Sequence, residues 1–162
     1  MPKLSPRLAL SLMGLACGVS VALALLAQHK FAMEPCPWCI LQRMIFIVLT
    51  VLCLVAAAMP GAALRRGLSA MAVPLPLAGI AAALWQHFVA AKSSSCALTL
   101  ADKVISFFGA DSRWPHVFEV RASCADAVAR VLGVPFEFWS LAFFAVVGIA
   151  LVYSAITPDR RD

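Results

Sequence analysis

Charge is what this sequence has least of. Lys and Arg number 13 and Asp and Glu 8 among 162 residues, so charged side chains make up 13% of the chain against 63% hydrophobic. A soluble domain uses about a quarter charged residues to clothe its surface, so this chain lacks the means to face water on all sides. Most of its surface must face lipid, in keeping with a mean hydropathy of +0.93. The same shortage excludes a disordered tail and leaves too little polar sequence for a separate soluble enzyme domain. A basic stripe is also missing: Lys and Arg fall singly or in pairs, so the net charge of +5 makes no nucleic-acid surface. Internal repeats and low-complexity tracts are absent, and so is the alternating pattern of a barrel strand. Helices are then the way to cross lipid with every backbone group satisfied.

What the chain does have is long apolar runs. A span takes about 20 residues, at about 1.5 Å each through roughly 30 Å of hydrocarbon. Residues 8–27 and 138–156 carry no charge, 40–59 holds Gln42 and Arg43 near its start, and 69–89 holds Gln86 and His87 near its end. The expected fold is all-α, a polytopic membrane four-helix bundle forming one domain over 1–162. Pro74 and Pro76 sit inside the third run, where each removes a backbone donor and kinks the helix or delays its start. Residues 60–68, with Pro60 and Gly61, are expected to form a short turn. Lys3, Arg7, Arg65, Arg66, Arg160 and Arg161 all fall on one face, which the positive-inside rule makes cytoplasmic together with both termini. The opposite face receives loops 28–39 and 90–135, the longer one interleaving its basic residues with Asp102, Asp111, Glu119 and Asp126. Lys3 and Arg7 before an apolar run also suit a cleaved signal peptide, and Leu15-Ala16-Cys17 a lipoprotein signal. The 20 uncharged residues are too long for the first and run ten residues past Cys17 against the second, so the helix is expected to be retained.

The six cysteines sort by depth. Cys17 and Cys53 fall mid-span, where a thiol behaves as a small inert apolar group. Cys36 and Cys39 lie in the short outer loop and Cys96 and Cys124 in the long one, on the face where disulfides persist. Cys36-Pro37-Trp38-Cys39 is a C-x-x-C motif at the start of the second helix, where unpaired backbone donors and the helix dipole favour a thiolate. Arg43 follows Cys39 by four residues, one helical turn. An arginine inside an apolar run costs about 2.5 to 3.5 kcal/mol at mid-membrane and less near the interface, which makes it a functional candidate beside the plainer reading of a snorkelling side chain. The plainer readings of the C-x-x-C are half of a zinc site completed by Cys96 and Cys124, or a passive structural disulfide. Its small ring stabilises little, however, and its chemistry suits reversible exchange.

In the long loop, Phe107, Phe108, Trp114 and Phe118 among polar residues suit either an interfacial anchor or packing on the protein's own helices. His87 is placed to touch a ligand, or equally to cap its helix. His29 and His116 read as surface residues.

Taken together these residues resemble the bacterial disulfide-bond formation protein B (DsbB) family over essentially the whole chain. The likeness rests on four spans, C-x-x-C with Arg43 at the fourth following position, and a separated cysteine pair in the long loop. Smaller matches are Trp85-Gln86-His87, Trp114-Pro115 with Val117-Phe118, and Leu132-Gly133 with Pro135 and Trp139. Where the family sometimes has an acidic residue just before the arginine, this chain has Gln42. The resemblance implies a bacterial inner-membrane enzyme that reoxidises a periplasmic DsbA-type thiol oxidase and passes electrons to quinone, ubiquinone or menaquinone, and so indirectly to the respiratory chain. It implies redox disulfides Cys36–Cys39 and Cys96–Cys124. Cys96 would be attacked by the partner and Cys36 would exchange with the second pair. Cys39 would face the quinone with support from Arg43, and His87 would be a further quinone contact. No metal is implied.

A paralogue serving one dedicated partner, or a vitamin K epoxide reductase-like enzyme, is the alternative within redox chemistry. A Cys-ligated metal-binding protein or transporter is the alternative from another class. Transport predicts ionisable groups along the spans, and only Arg43 and His87, both near the outer end, are there.

Overall fold

A computed structural model of the chain describes residues 5–92, 99–127 and 130–157. It is built from α1 (Pro6–Lys30), α2 (Pro37–Ala58), α3 (Ala62–Ala72), α4 (Pro74–Phe88), a 3-10 turn (Ala90–Lys92), α5 (Leu100–Phe108), α6 (Ala110–Arg113), α7 (Pro115–Phe118), a hairpin β1 (Arg130–Val131) and β2 (Val134–Pro135), and α8 (Phe136–Ile156). The architecture is a four-helix membrane bundle: α1, α2, the α3–α4 unit and α8 are long and apolar enough to cross a membrane. It is a multi-pass membrane protein.

Local sequence sets the helix ends. Ser5 caps α1, its hydroxyl accepting from the Leu8 N–H at 3.3 Å, with Pro6 at the first position, where a missing N–H costs nothing. The third span departs from expectation. It begins at Ala62 rather than near 69, so the turn expected over 60–68 shrinks to residues 59–61, and the span runs Ala62–Lys92 with a break at Val73. Arg65 and Arg66 do not need a loop, because helix-end carbonyls receive them. Arg65 Nη1 donates to Met59 O at 3.0 Å and Arg66 Nε to Ala155 O at 2.8 Å. Pro74 opens α4, where it cannot continue the ladder of α3 but fits a first turn. Arg7 donates to the carbonyls of Met59 and Pro60, so one end of the bundle gathers the start of α1, the α2–α3 turn and the end of α8. Lys3, Arg160 and Arg161 lie outside the described residues.

Helix α2 is central, touching α1, α3, α4 and α5, while α8 closes the bundle against α4, α3 and α1. Leu10, Cys17, Leu49, Cys53, Phe144 and Leu151 are among its buried core. Phe144 stacks on Phe46 at 4.0 Å between ring centres and 3° between planes. It fits because Gly79 faces it: a Cβ there would lie 2.6 Å from the ring. The opposite sides are apolar too. Leu8, Leu12, Leu15, Val19, Leu23 and Leu26 form an exposed stripe along α1, repeating every three or four residues, as a lipid-facing helix surface requires.

The long loop is folded onto one end of α2. Thr99 and Asp102 form a capping box at the start of α5, and Gly109, at φ 59°, ends it. Ala101 and Ile105 are buried, Ile105 in a cluster with Ile40 and Ala110. The aromatics divide: Phe118 packs against that cluster, whereas Phe107, Phe108 and Trp114 are exposed. The hairpin turns through Leu132 and Gly133, both with positive φ, the pattern of a tight two-residue connection.

Candidate functional site

The C-x-x-C motif forms the first turn of α2, so this helix starts at Pro37, three residues earlier than expected. Cys36 is its N-cap, with extended backbone at φ −85° and ψ 168°, and Pro37 takes the first helical position. The Cys36 sulfur accepts from the Cys39 N–H at 3.4 Å, the role a serine or threonine oxygen plays at other N-caps. The spacing of two residues thus brings the sulfurs of Cys36 and Cys39 to 2.9 Å, both as free thiols.

A third sulfur joins them from the long loop. The N–H groups of Arg121 and Ala122 donate to Pro35 O at 3.1 and 3.3 Å, tying the segment before Cys124 to the one before Cys36. Cys36 and Cys124 then share a buried cluster with Trp38, Ala82, Ala90 and Ala101. The two thiols interact there, and their pKa values part in opposite directions. Cys124 is lowered, chiefly by the Cys36 hydrogen bond and also by the backbone N–H of Trp38, against the opposing effect of burial. Cys36 is raised, first by its bond to Cys124, then by that to Cys39, then by burial. While Cys36 is a thiol, the interaction favours the proton on Cys36 and thiolate character on Cys124, at the helix N-terminus. Cys96, the expected mate of Cys124, lies outside the described residues.

Arg43 is buried one turn beyond Cys39. Its Nη1 donates to Gln28 Oε1 at 2.9 Å and to the carbonyl of Val117, so it also pins α7 to α2. Its Nε has no partner among the described residues, nor have Gln28 Nε2 and Trp38 Nε1. A buried guanidinium N–H without an acceptor is costly and marks a place where a ligand oxygen would be held.

A cavity of about 410 Å³ adjoins this group. Ser20, Cys39, Gln42, Arg43, Gln86 and Ser140 supply its polar lining, set among Val21, Leu23, Phe46, Phe136, Trp139 and Phe143. Leu23 and Trp139 are 59% and 46% exposed, so the cavity opens between α1 and α8 onto the lipid-facing surface. A mostly apolar pocket with a few convergent polar groups is the ordinary form of a small-molecule site.

His87 does not line it. One residue on a helix is a turn of about 100°, and His87 faces α8, its Nδ1 2.7 Å from Glu137 Oε1 and its ring against Phe138. Gln86 takes the inward position, donating from Nε2 to Cys39 Sγ at 3.3 Å. Gln86 and Gln28 belong to the site although neither is ionisable, so the charge pattern of the sequence does not mark them. The available signal was an isolated uncharged amide at the end of an apolar run, which burial makes nearly as demanding of partners as a charge.

Comparison with known proteins agrees in length and kind. The family model "Disulfide bond formation protein DsbB" matches residues 6–154. The chain is 32% identical over 157 residues to disulfide bond formation protein B 1 of Pseudomonas putida, covering 94% of this chain and 91% of that one. Similar relatives are disulfide bond formation protein B 1 of Pseudomonas syringae pv. syringae, at 31% identity covering 94% and 90%, and disulfide bond formation protein B of Herminiimonas arsenicoxydans, at 29% covering 83% and 85%.

Proposed function

The chain belongs to the DsbB family of disulfide bond formation proteins, thiol-disulfide oxidoreductases, and on that premise we propose that it reoxidises a periplasmic DsbA-type thiol oxidase and delivers the electrons to membrane quinone. The membrane is then the bacterial inner membrane, with the Arg7, Arg65 and Arg66 end cytoplasmic and the cysteine end periplasmic. The observation that carries this reading is the position of Cys36, its sulfur 2.9 Å from that of Cys39 and packed in one buried cluster with Cys124.

Exchange along that row balances at each step. The partner's dithiol reduces Cys96–Cys124 through a mixed disulfide at Cys96, and the partner leaves as a disulfide. The Cys124 thiolate attacks Cys36 of the Cys36–Cys39 disulfide, forming Cys36–Cys124 and releasing Cys39 as a thiolate. Cys96 then attacks Cys124, restoring the first disulfide and releasing Cys36. Transfer requires the attacked sulfur to reach both partners, and Cys36 lies 2.9 Å from Cys39 and in one buried cluster with Cys124. A Cys36 held in its disulfide has no proton to share, so the Trp38 N–H is what favours the Cys124 thiolate in this step.

The dithiol of Cys36 and Cys39 must then be reoxidised. DsbA is itself a strong oxidant, at about −120 mV, so a better electron sink is needed. A bound quinone supplies it by taking two electrons and two protons. The cavity fits such a group: Cys39 lies in its wall, the free Arg43 Nε is suited to a carbonyl oxygen, and the apolar lining and lipid-side opening suit a membrane-soluble molecule. Arg43 and Cys39 would hold it, with Gln28 orienting the guanidinium.

The test is reconstitution with reduced partner and a quinone, following quinone absorbance. Stoichiometric quinone loss is expected. Oxidation of the partner without quinone loss would refute the reading.

A further inference from the structure

We propose that Gln42 fixes the orientation of the Gln86 carboxamide so that Gln86 presents its N–H, and not its carbonyl, to Cys39, making this pair of neutral amides the device that holds Cys39 as a thiolate. The inference rests on Cys39 being the thiol that faces the cavity ligand.

A carboxamide has two ends of similar shape and opposite polarity, a donor NH2 and an acceptor oxygen. Which end meets the sulfur is decided by the partner at the other end. Here Gln42 Nε2 donates to Gln86 Oε1 at 2.7 Å, and both side chains are buried. With its oxygen taken, Gln86 offers Nε2 to Cys39 Sγ at 3.3 Å. The relay runs one way, from Gln42 to Gln86 to sulfur, and ends on an atom that as a thiolate only accepts.

Arg43 is not the direct donor. Its Nη1 is spent on Gln28 and Val117, and it acts on Cys39 by charge through space. Among the described residues the hydrogen-bond contacts of Cys39 Sγ are Gln86 Nε2 and the Cys36 sulfur. Once Cys36 is engaged elsewhere in exchange, Gln86 is what remains. A carboxylate at position 42 would reverse the relay: it can only accept, so it would draw Gln86 Nε2 to itself and turn Oε1 toward the sulfur.

Among the described residues, the titratable and charged groups facing Cys39 are Arg43 on its own helix and the thiols of Cys36 and Cys124. The α1, α4 and α8 residues lining the cavity with it carry none. The experiment therefore uses the full chain with Cys36→Ala, leaving Cys39 free, and follows its alkylation against pH with the site confirmed by mass spectrometry. Gln86→Met, with Gln86→Leu as a second replacement, is expected to slow alkylation at neutral pH by about tenfold, the weight of a hydrogen bond to a charged group. Gln42→Glu should slow it to a similar degree.

The double variant Gln42→Glu/Gln86→Met separates the orientation lock from simple charge repulsion. It is expected to be no slower than Gln86→Met alone, because Gln42 acts through Gln86. Effects that multiply would overturn the lock, and an unmoved profile in both Gln86 variants would overturn the donor role. None of these readouts uses quinone, so failure of the proposed quinone reduction is a separate result.

Discussion

Helix α2 carries two kinds of cysteine, and the difference between its ends explains the molecule. Cys53 lies deep in the bundle beside Cys17 of α1, both fully buried in an apolar core, and none of the described residues donates a hydrogen bond to either sulfur. Cys36 and Cys39 occupy the first turn, where a backbone N–H, a glutamine amide, an arginine charge and a third thiol converge. The residue type is the same and the helix is the same. Reactivity comes from what surrounds the sulfur.

The largest expected effect breaks the comparison outright. Cys36→Ser or Cys39→Ser should reduce quinone-coupled oxidation of a reduced partner by on the order of 10³-fold or more, whereas Cys17→Ala and Cys53→Ala should stay within about twofold. Similar losses from the buried pair, measured by quinone absorbance, would erase the distinction. Arg43→Ala should lower quinone turnover by about 10²-fold, as loss of an oxygen-directed donor does, with partner binding kept. Arg43→Lys should recover only part of this, since a point charge cannot span Gln28, Val117 and a ligand together. Equal loss of partner affinity by titration would make Arg43 a structural residue.

A smaller effect concerns acidity. Cys124 owes its lowered pKa first to Cys36, so its thiolate persists below the usual thiol range and is lost only as pH falls through that lowered value. Cys36→Ala removes the cause, and the alkylation profile of Cys124 should move to higher pH. A profile that stays in place would mean the Trp38 N–H dominates. The smallest change is expected from Glu137→Gln. The His87 bond joins the end of α4 to the start of α8 on a partly exposed histidine, so its loss should cost about 1 kcal/mol or less and a few degrees in Tm. A large rise in KM for quinone in that variant would bring His87 back toward the cavity.

Much of this was legible in the residues alone. Four runs near 20 residues could only be spans, and two residues between Cys36 and Cys39 at a helix start could only bring the sulfurs together. Other features were hidden for physical reasons. Arg65 and Arg66 marked a loop because the sequence does not show the Met59 and Ala155 carbonyls that let α3 start early. The inward turn of Gln86 over His87 depends on the rotation of α4, which hydropathy does not record. The meeting of Cys124 with Cys36 depends on Arg121 and Ala122 reaching Pro35, a contact between residues 86 or more positions apart.

Gly79 has a reach beyond its size. Phe46 lines the cavity, Phe144 stacks on Phe46, and Phe144 occupies the space that a side chain at 79 would fill. The inner wall of the ligand chamber is thus gauged by a single hydrogen atom on the far side of two rings. A methyl group added there would act as a shim, transmitted through the aromatic stack, and would reset the depth of the chamber without touching any residue that lines it.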